Sequence, residues 1–321
     1  MHTPRGRAAD YGRALRRHPT DRQHRPGGSV KLSLPALREM KRDGRPIVMI
    51  TAYDHPSGRI VDAAGVDLVL VGDSAANVVL GHESTVPATM DEMTMLTAAV
   101  NRGVENALVV GDLPFMSYQV SDAAAVANAG RLIKDGGADV VKLEGAGPSL
   151  ERVRALVSAG IGVMGHIGLT PQTATALGGH KAQGRQADAA RRLFLDAISL
   201  ERSGCFALVL EAVPAPVATT ISRRLAIPTI GIGSGPGTDG QVLVLHDMLG
   251  IPGDGREPRF VKRYAEIGEL MGAAVAAYAT EVRNHVYPAE EHTYTIPPEE
   301  LEAFQNAVDA GSIEENTLAD W

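Results

Sequence analysis

Four short apolar runs in this chain end on a carboxylate: LVLVGDS at 68–74, LVVGD at 108–112, VVKLEG at 140–145 and ALVLE at 207–211. Apolar runs of this length, separated by helix-like segments, read as parallel strands buried on both faces. Their acids then gather at one rim of one sheet, where barrel and open α/β folds carry their chemistry. Acids so placed either cap the helices that follow or form a metal-assisted active site, and four at equivalent positions point to the site. Asp73 and Asp112 end successive strands and, without nearby cysteine or a paired histidine motif, suit a hard divalent cation. Mg²⁺ is the first expectation, with Mn²⁺, Co²⁺ or Zn²⁺ as substitutes. Glu144 either ligates that cation, directly or through water, or pairs with Lys142, which shares its strand face at a spacing of two. Lys142 is placed to bind a substrate carboxylate. A Schiff-base role is disfavoured, because the acids around it keep the amine protonated. Glu211, at the end of the apolar run ALVL, is the candidate general base for deprotonating carbon. His166, in GHIGLTPQ (165–172), either contacts substrate or is a satisfied buried histidine. Lys181 and Arg185, in GGHKAQGR (178–185), either meet an anionic ligand or are solvated.

These positions need a scaffold of alternating strands and helices. Further strands are expected in IVMITAY (47–53), GVMGHIGL (162–169), PTIGIGSG (228–235) and QVLVLHDML (241–249). Helices are expected in LPALREMKRDG (34–44), closing the bottom of the fold, in 122–136 behind a Ser121 cap, and in 186–204. Eight such strands in about 250 residues predict an α/β fold of the closed (β/α)8 TIM-barrel kind. An open doubly wound sheet is the rival, but no G-x-G-x-x-G follows the first strand. The segment 263–284 is expected to be the last barrel helix, its Ala-rich faces suited to a subunit contact. The expected division is a disordered basic tail over 1–30, the barrel over 31–286 and an acidic extension over 287–321.

Composition narrows the partners. The 321 residues carry a formal charge of −7 and 44% hydrophobic side chains, so a basic nucleic-acid-binding face is not expected. No apolar stretch reaches the roughly 20 residues of a membrane span. The single cysteine, Cys205, precludes an internal disulfide and fits a reducing cytoplasm. The Arg-rich head has no apolar core of the kind a secretory signal needs; an organelle transit peptide is the alternative to a disordered tail.

Taken together, GDSAANVVLGHESTVP, DLPFMSY, VKLEG, GHIGLTPQ, GGHKAQGR, LVLEAVP and IPTIGIGSGPGTDGQVLV, in this order from about Leu34 to His292, resemble the ketopantoate hydroxymethyltransferase family. The resemblance implies a barrel of the phosphoenolpyruvate/pyruvate-binding superfamily assembled as a homo-oligomer, commonly a decamer. It implies metal positions at Asp73, Asp112 and Glu144, and substrate contacts at Asp73, Ser74, Asp112, Lys142 and His166, with Glu211 as proton acceptor. The implied reaction moves a hydroxymethyl group from 5,10-methylenetetrahydrofolate to 3-methyl-2-oxobutanoate through a metal-stabilised enolate, giving 2-dehydropantoate for pantothenate and coenzyme A synthesis. Two positions depart from the family pattern: His180 stands where Tyr or Phe is usual, and Gly111 where Ala usually precedes the aspartate. A lyase or mutase of the same superfamily and a non-catalytic barrel are the competing readings.

Overall fold

A computed structural model describes residues 31–179, 181–252 and 258–310. The expectations for residues 1–30, for His180 and for the last eleven residues of the acidic extension lie outside the described residues. Eight parallel strands close into a barrel in sequence order: β1 (Ile47–Thr51), β2 (Leu68–Val71), β3 (Leu108–Asp112), β4 (Val140–Glu144), β5 (Val163–Gly168), β6 (Ala207–Glu211), β7 (Thr229–Ile232) and β8 (Gly240–Leu243), with β8 paired to β1. The order excludes the open-sheet alternative, whose edge strands would be unpaired.

Strand periodicity sorts the side chains into two populations. Ile47, Met49, Leu68, Leu108, Val110, Val140, Met164, Val209 and Ile230 fill the barrel interior. The alternate positions, such as Val69, Val109, Val141, Leu143, Leu208 and Leu210, pack outward with helix residues such as Leu132, Leu156 and Leu200. Helix α1 (Leu34–Arg42) is capped by Ser33, whose side chain accepts from Ala36 N, and it inserts Leu37 and Met40 into the interior cluster. It is the floor expected from the sequence. Between strands lie α2 (His55–Ala63), α3 (Ala75–Val78), α4 (Met90–Asn101), α5 (Asp122–Lys134), α6 (Ser149–Ser158), α7 (Ala187–Arg202) and α8 (Ala215–Arg224). Ser121 caps α5 by accepting from Ala124 N, as its spacing predicts.

Two elements differ from the sequence expectation. The run 241–249 does not continue as a strand: β8 stops at Leu243, and Leu245–Leu249 forms a short helix, α9, ending on Gly250 at a φ of 63°. Thr51 at the end of β1 takes the Leu245 N–H at 2.9 Å, bending the chain out of the sheet. The segment assigned to the last barrel helix instead forms α10 (Ile267–Arg283) in a second compact unit. The first unit runs to Ala265 and the second begins at Glu266. Among the described residues none of the side chains of α10 is buried, and Met271, Val275, Tyr278 and Val282, spaced along one helical face, are exposed. That unit also holds α11 (Pro298–Asp309), and Tyr287 sits between the rings of Tyr278 and His292 at 5.5 and 5.0 Å.

The entry into β3 depends on one buried acid. Asp62, at the end of α2, accepts from Glu105 N (3.1 Å), Asn106 N (3.0 Å), Ala107 N (2.8 Å) and Asn106 Nδ2 (2.8 Å). Burial opposes its charge, but these N–H donors outweigh it and hold the carboxyl below the usual aspartate range. Asp62→Ala should therefore destabilise the fold by about 1–3 kcal/mol in denaturant unfolding at neutral pH. A depressed folded pKa contributes stability above the unfolded value of about 3.9 and loses it as pH falls toward the lower folded value. The difference between wild type and variant should shrink below about pH 4; a difference constant down to pH 2 would show that the carboxylate charge plays no part.

Candidate active site

The inward-facing rows of the strands run from apolar to charged toward their carboxyl ends. Leu108 and Val110 lead to Asp112, Val140 to Lys142 and Glu144, Met164 to His166, and Ala207 and Val209 to Glu211. Pairing register sets the neighbours: Asp112 lies opposite Lys142, Glu144 opposite His166, and Gly168 opposite Glu211. Asp73 follows β2 by two residues, and its backbone N–H donates to Asp112 Oδ2 at 3.2 Å. Asp73, Asp112, Lys142, Glu144 and His166 are each at most 4% exposed, and the Glu211 side chain is 14% exposed.

The side chains form two adjoining sets of ion pairs across four strands, one around Lys142 and one around His166. Lys142 Nζ lies 2.9 Å from Asp112 Oδ1 and 3.4 Å from His166 Nδ1. His166 Nδ1 is 3.4 Å from Glu144 Oε1, and its Nε2 is 3.2 Å from Glu211 Oε2. Lys142 thus pairs with Asp112 on the neighbouring strand, not with Glu144 on its own. Burial works against the lysine charge, but Asp112, Glu144 and Asp73 outweigh it and raise the ammonium above its usual range. The protonated state disfavours a Schiff-base role, as the sequence reading expected. Burial and Lys142 likewise oppose charging of the His166 imidazole, yet Glu144 and Glu211 prevail and push it up to about 9.

The acids divide in their response. Asp73 is raised well above the usual range by burial and by repulsion from Asp112 and Glu144. Asp112 is raised by burial and by Glu144, with Lys142 opposing. Glu144 is lowered, because His166, Lys142 and the Gln172 N–H outweigh its burial. Formally, four carboxylates face two cations, an excess of two negative charges in a region largely closed to water. That charge balance and the hard oxygen donors of Asp73 and Asp112 fit a divalent cation. Among the described residues no three His, Cys, Asp or Glu side chains already converge as a ligand set. Glu144 is committed elsewhere, with Oε2 accepting from Gln172 N at 3.1 Å and Oε1 facing His166.

Ser74 Oγ is 2.8 Å from the Tyr53 hydroxyl, beside Asp73. Lys181 and Arg185 are exposed, and the structure does not bring them into the charged cluster. Gly111 packs outward, where a Cβ would meet Ala138 and Leu132 at 3.2–3.3 Å, so this departure from the family pattern does not touch the acids. Gly168 has a φ of 99°, and a Cβ there would lie 2.2 Å from Glu211 O. Glycine thus lets the end of β5 turn over Glu211, whose carbonyl accepts from Leu169 N at 2.8 Å.

Two buried residues escaped the sequence reading. Gln172, in a 3₁₀ turn at Pro171–Thr173, donates through Nε2 to Asp73 Oδ2 and Leu113 O, both at 2.9 Å. Its Oε1 is 2.8 Å from the Tyr118 hydroxyl. Each ends a motif singled out in the sequence, GHIGLTPQ and DLPFMSY, but neither residue type announces itself as chemistry.

Comparison with known proteins bears on what this cluster serves. Among solved structures the chain resembles a phosphonopyruvate hydrolase, described in complex with oxalate and Mg++, at a TM-score of 0.55 and 10% identity over 87% of this chain and 98% of that one. It also resembles a phosphoenolpyruvate phosphomutase from Streptomyces platensis subsp. rosaceus, at 0.53 and 15% over 89% and 100%. At these identities the likeness establishes the barrel alone. In sequence it is 56% identical to the 3-methyl-2-oxobutanoate hydroxymethyltransferase of Nitratidesulfovibrio vulgaris, covering 88% of this chain and 91% of that protein. It is 54% identical to the enzyme of that name from Moorella thermoacetica, covering 82% and 98%. The family model described as ketopantoate hydroxymethyltransferase matches residues 31–290, spanning every strand that contributes to the charged cluster, and the chain belongs to that family.

Proposed function

We propose that this enzyme transfers a hydroxymethyl group from 5,10-methylenetetrahydrofolate to 3-methyl-2-oxobutanoate, giving ketopantoate, with a divalent cation, Mg²⁺ in the first instance, held by Asp73 and Asp112. The observation that carries the reading is the buried pairing of two aspartates, Asp73 N–H donating to Asp112 Oδ2 at 3.2 Å, beside a protonated lysine 2.9 Å from Asp112, in a chain of this family. When bound, the cation supplies Lewis-acid polarisation of the 2-oxo acid, which acidifies its C3 proton. Glu144, turned toward His166 and Gln172, supports that position at one remove or through water.

The chain's own residues supply the rest. Lys142 offers its ammonium to the substrate carboxylate, and its buried pairing with Asp112 keeps it charged for that purpose. Ser74, oriented by Tyr53, lies beside Asp73 as a further substrate contact. Glu211 takes the C3 proton. His166 Nε2 lies 3.2 Å from one Glu211 oxygen and pairs with it by charge, which leaves the other as the accepting atom. The carbanionic C3 bonds to the methylene carbon as both of its C–N bonds to the folate break; one water supplies the hydroxyl oxygen, its two protons go to the folate nitrogens, and the proton held by Glu211 passes to the new hydroxyl. The apolar layers beneath the cluster keep bulk water away from this proton transfer.

We also propose a homo-oligomer, decameric by family resemblance, acting in the cytoplasm. The exposed stripe Met271, Val275, Tyr278 and Val282 supports the oligomer, and one buried cysteine suits a reducing compartment. Among the described residues no helix is long and apolar enough to cross a membrane.

Loss of the C3 proton signal of 3-methyl-2-oxobutanoate in D₂O, followed by proton NMR, should require a divalent metal and Glu211. Glu211→Gln should lower kcat by roughly 10²–10⁴ while metal binding by calorimetry stays intact; unchanged turnover would remove Glu211 from the role. Asp73→Ala and Asp112→Ala should each abolish Mn²⁺ binding to the substrate-free protein. In light scattering the wild-type protein should be a multimer that Val275→Glu dissociates into smaller species, and a monomeric wild type would refute the assembly.

A further inference from the structure

Gln172 is 3% exposed, and both ends of its side-chain amide are engaged, one of them by a carboxylate of the charged cluster. The orientation of its amide follows from its neighbours. Leu113 O, 2.9 Å from one end, is a carbonyl that accepts and never donates, so that end must be the NH₂ group. The other end is set independently. Glu144 N donates to the Tyr118 oxygen at 3.2 Å, and the single hydroxyl proton is then directed to the nearer acceptor, Gln172 Oε1 at 2.8 Å, with Glu144 O at 3.3 Å. With both ends assigned, the second Nε2 hydrogen meets Asp73 Oδ2 at 2.9 Å. The backbone N–H of the same residue meets Glu144 Oε2 at 3.1 Å. A run of bonds all pointing one way therefore leads from the β4 backbone through Tyr118 and Gln172 to Asp73, and each bond polarises the next.

We infer that Gln172 is a positioning residue for the divalent cation, clamping Asp73 by Oδ2 and Glu144 by Oε2 so that Asp73 Oδ1 is the oxygen offered to the ion, with Tyr118 fixing the amide in the orientation that permits this. The inference rests on the assignment of Asp73 and Asp112 as the cation's ligands. It gives the 3₁₀ turn after β5 a function distinct from contact with either substrate: the turn also sets an acid that follows β2, 99 residues away in sequence.

The test is Mn²⁺ titration by electron paramagnetic resonance on the full-length, substrate-free protein. Gln172→Met keeps the side chain's length and removes both donors, and it should weaken Mn²⁺ binding about 10- to 100-fold, as loss of a partner of a metal ligand typically does. Tyr118→Phe keeps the ring and removes only the hydroxyl, and it should weaken binding about three- to tenfold. The double variant should be no worse than Gln172→Met alone, because the tyrosine acts through the amide. Raising Mn²⁺ to saturation should restore C3 proton exchange in Gln172→Met, which damage to general packing would not allow. Wild-type affinity in Gln172→Met, or additive losses in the double variant, would overturn the inference while leaving the cation site standing; absence of Mn²⁺ binding by the wild-type protein would overturn both. Should Gln172→Met fail to fold, Tyr118→Phe decides alone, and wild-type affinity in that variant overturns the inference.

Discussion

Charge held out of water governs the upper half of this barrel. Removing a carboxylate or ammonium from solvent costs several kcal/mol per ion unless opposite charge and hydrogen bonds compensate it. Asp112 and Lys142 meet that requirement as one pair, and Glu144 and Glu211 meet it by flanking His166, with no ion pair longer than 3.4 Å. Removing any member exposes its neighbours to uncompensated burial. The row is therefore electrostatically coupled, and burial and like-charge repulsion fall most heavily on Asp73 and Asp112, whose carboxyls are raised above the usual aspartate range.

The fold serves this unit by fixing registers. Parallel pairing sets Asp112 beside Lys142 and Glu144 beside His166 without any loop having to find its place. The interior below is packed with Leu, Ile, Val and Met from the same strand faces, sealed by Leu37 and Met40 of α1. Stability and chemistry are thus assigned to opposite ends of the same strands, a division common to barrels of this kind. Where regular pairing ends, local devices take over: a left-handed Gly168 against Glu211, and a 3₁₀ turn carrying Gln172 back to Asp73.

Much of this was legible along the chain. The acid-ended apolar runs locate four of the eight strands, and the spacing of two in VKLE places Lys142 and Glu144 on one face because strand side chains alternate. The run QVLVLHDML misled, since an apolar stretch reads the same in a buried strand and a short buried helix; the Leu245 N–H bond to Thr51, remote in sequence, decided between them. The helix at 267–283 shows its apolar stripe in the sequence, but whether that stripe is covered depends on which other residues approach it, and periodicity carries no such information.

By itself, then, the sequence determined the strand–helix alternation, the polarity gradient along each strand and the identity of the acids, because these follow from local residue type and a period of two. Only the tertiary structure decided who faces whom: Lys142 with Asp112 and not Glu144, His166 between two glutamates, and Gln172 on Asp73. Those pairings depend on register between strands and on the path of loops, and charges brought together from distant positions acquire their strength only once water is excluded from around them.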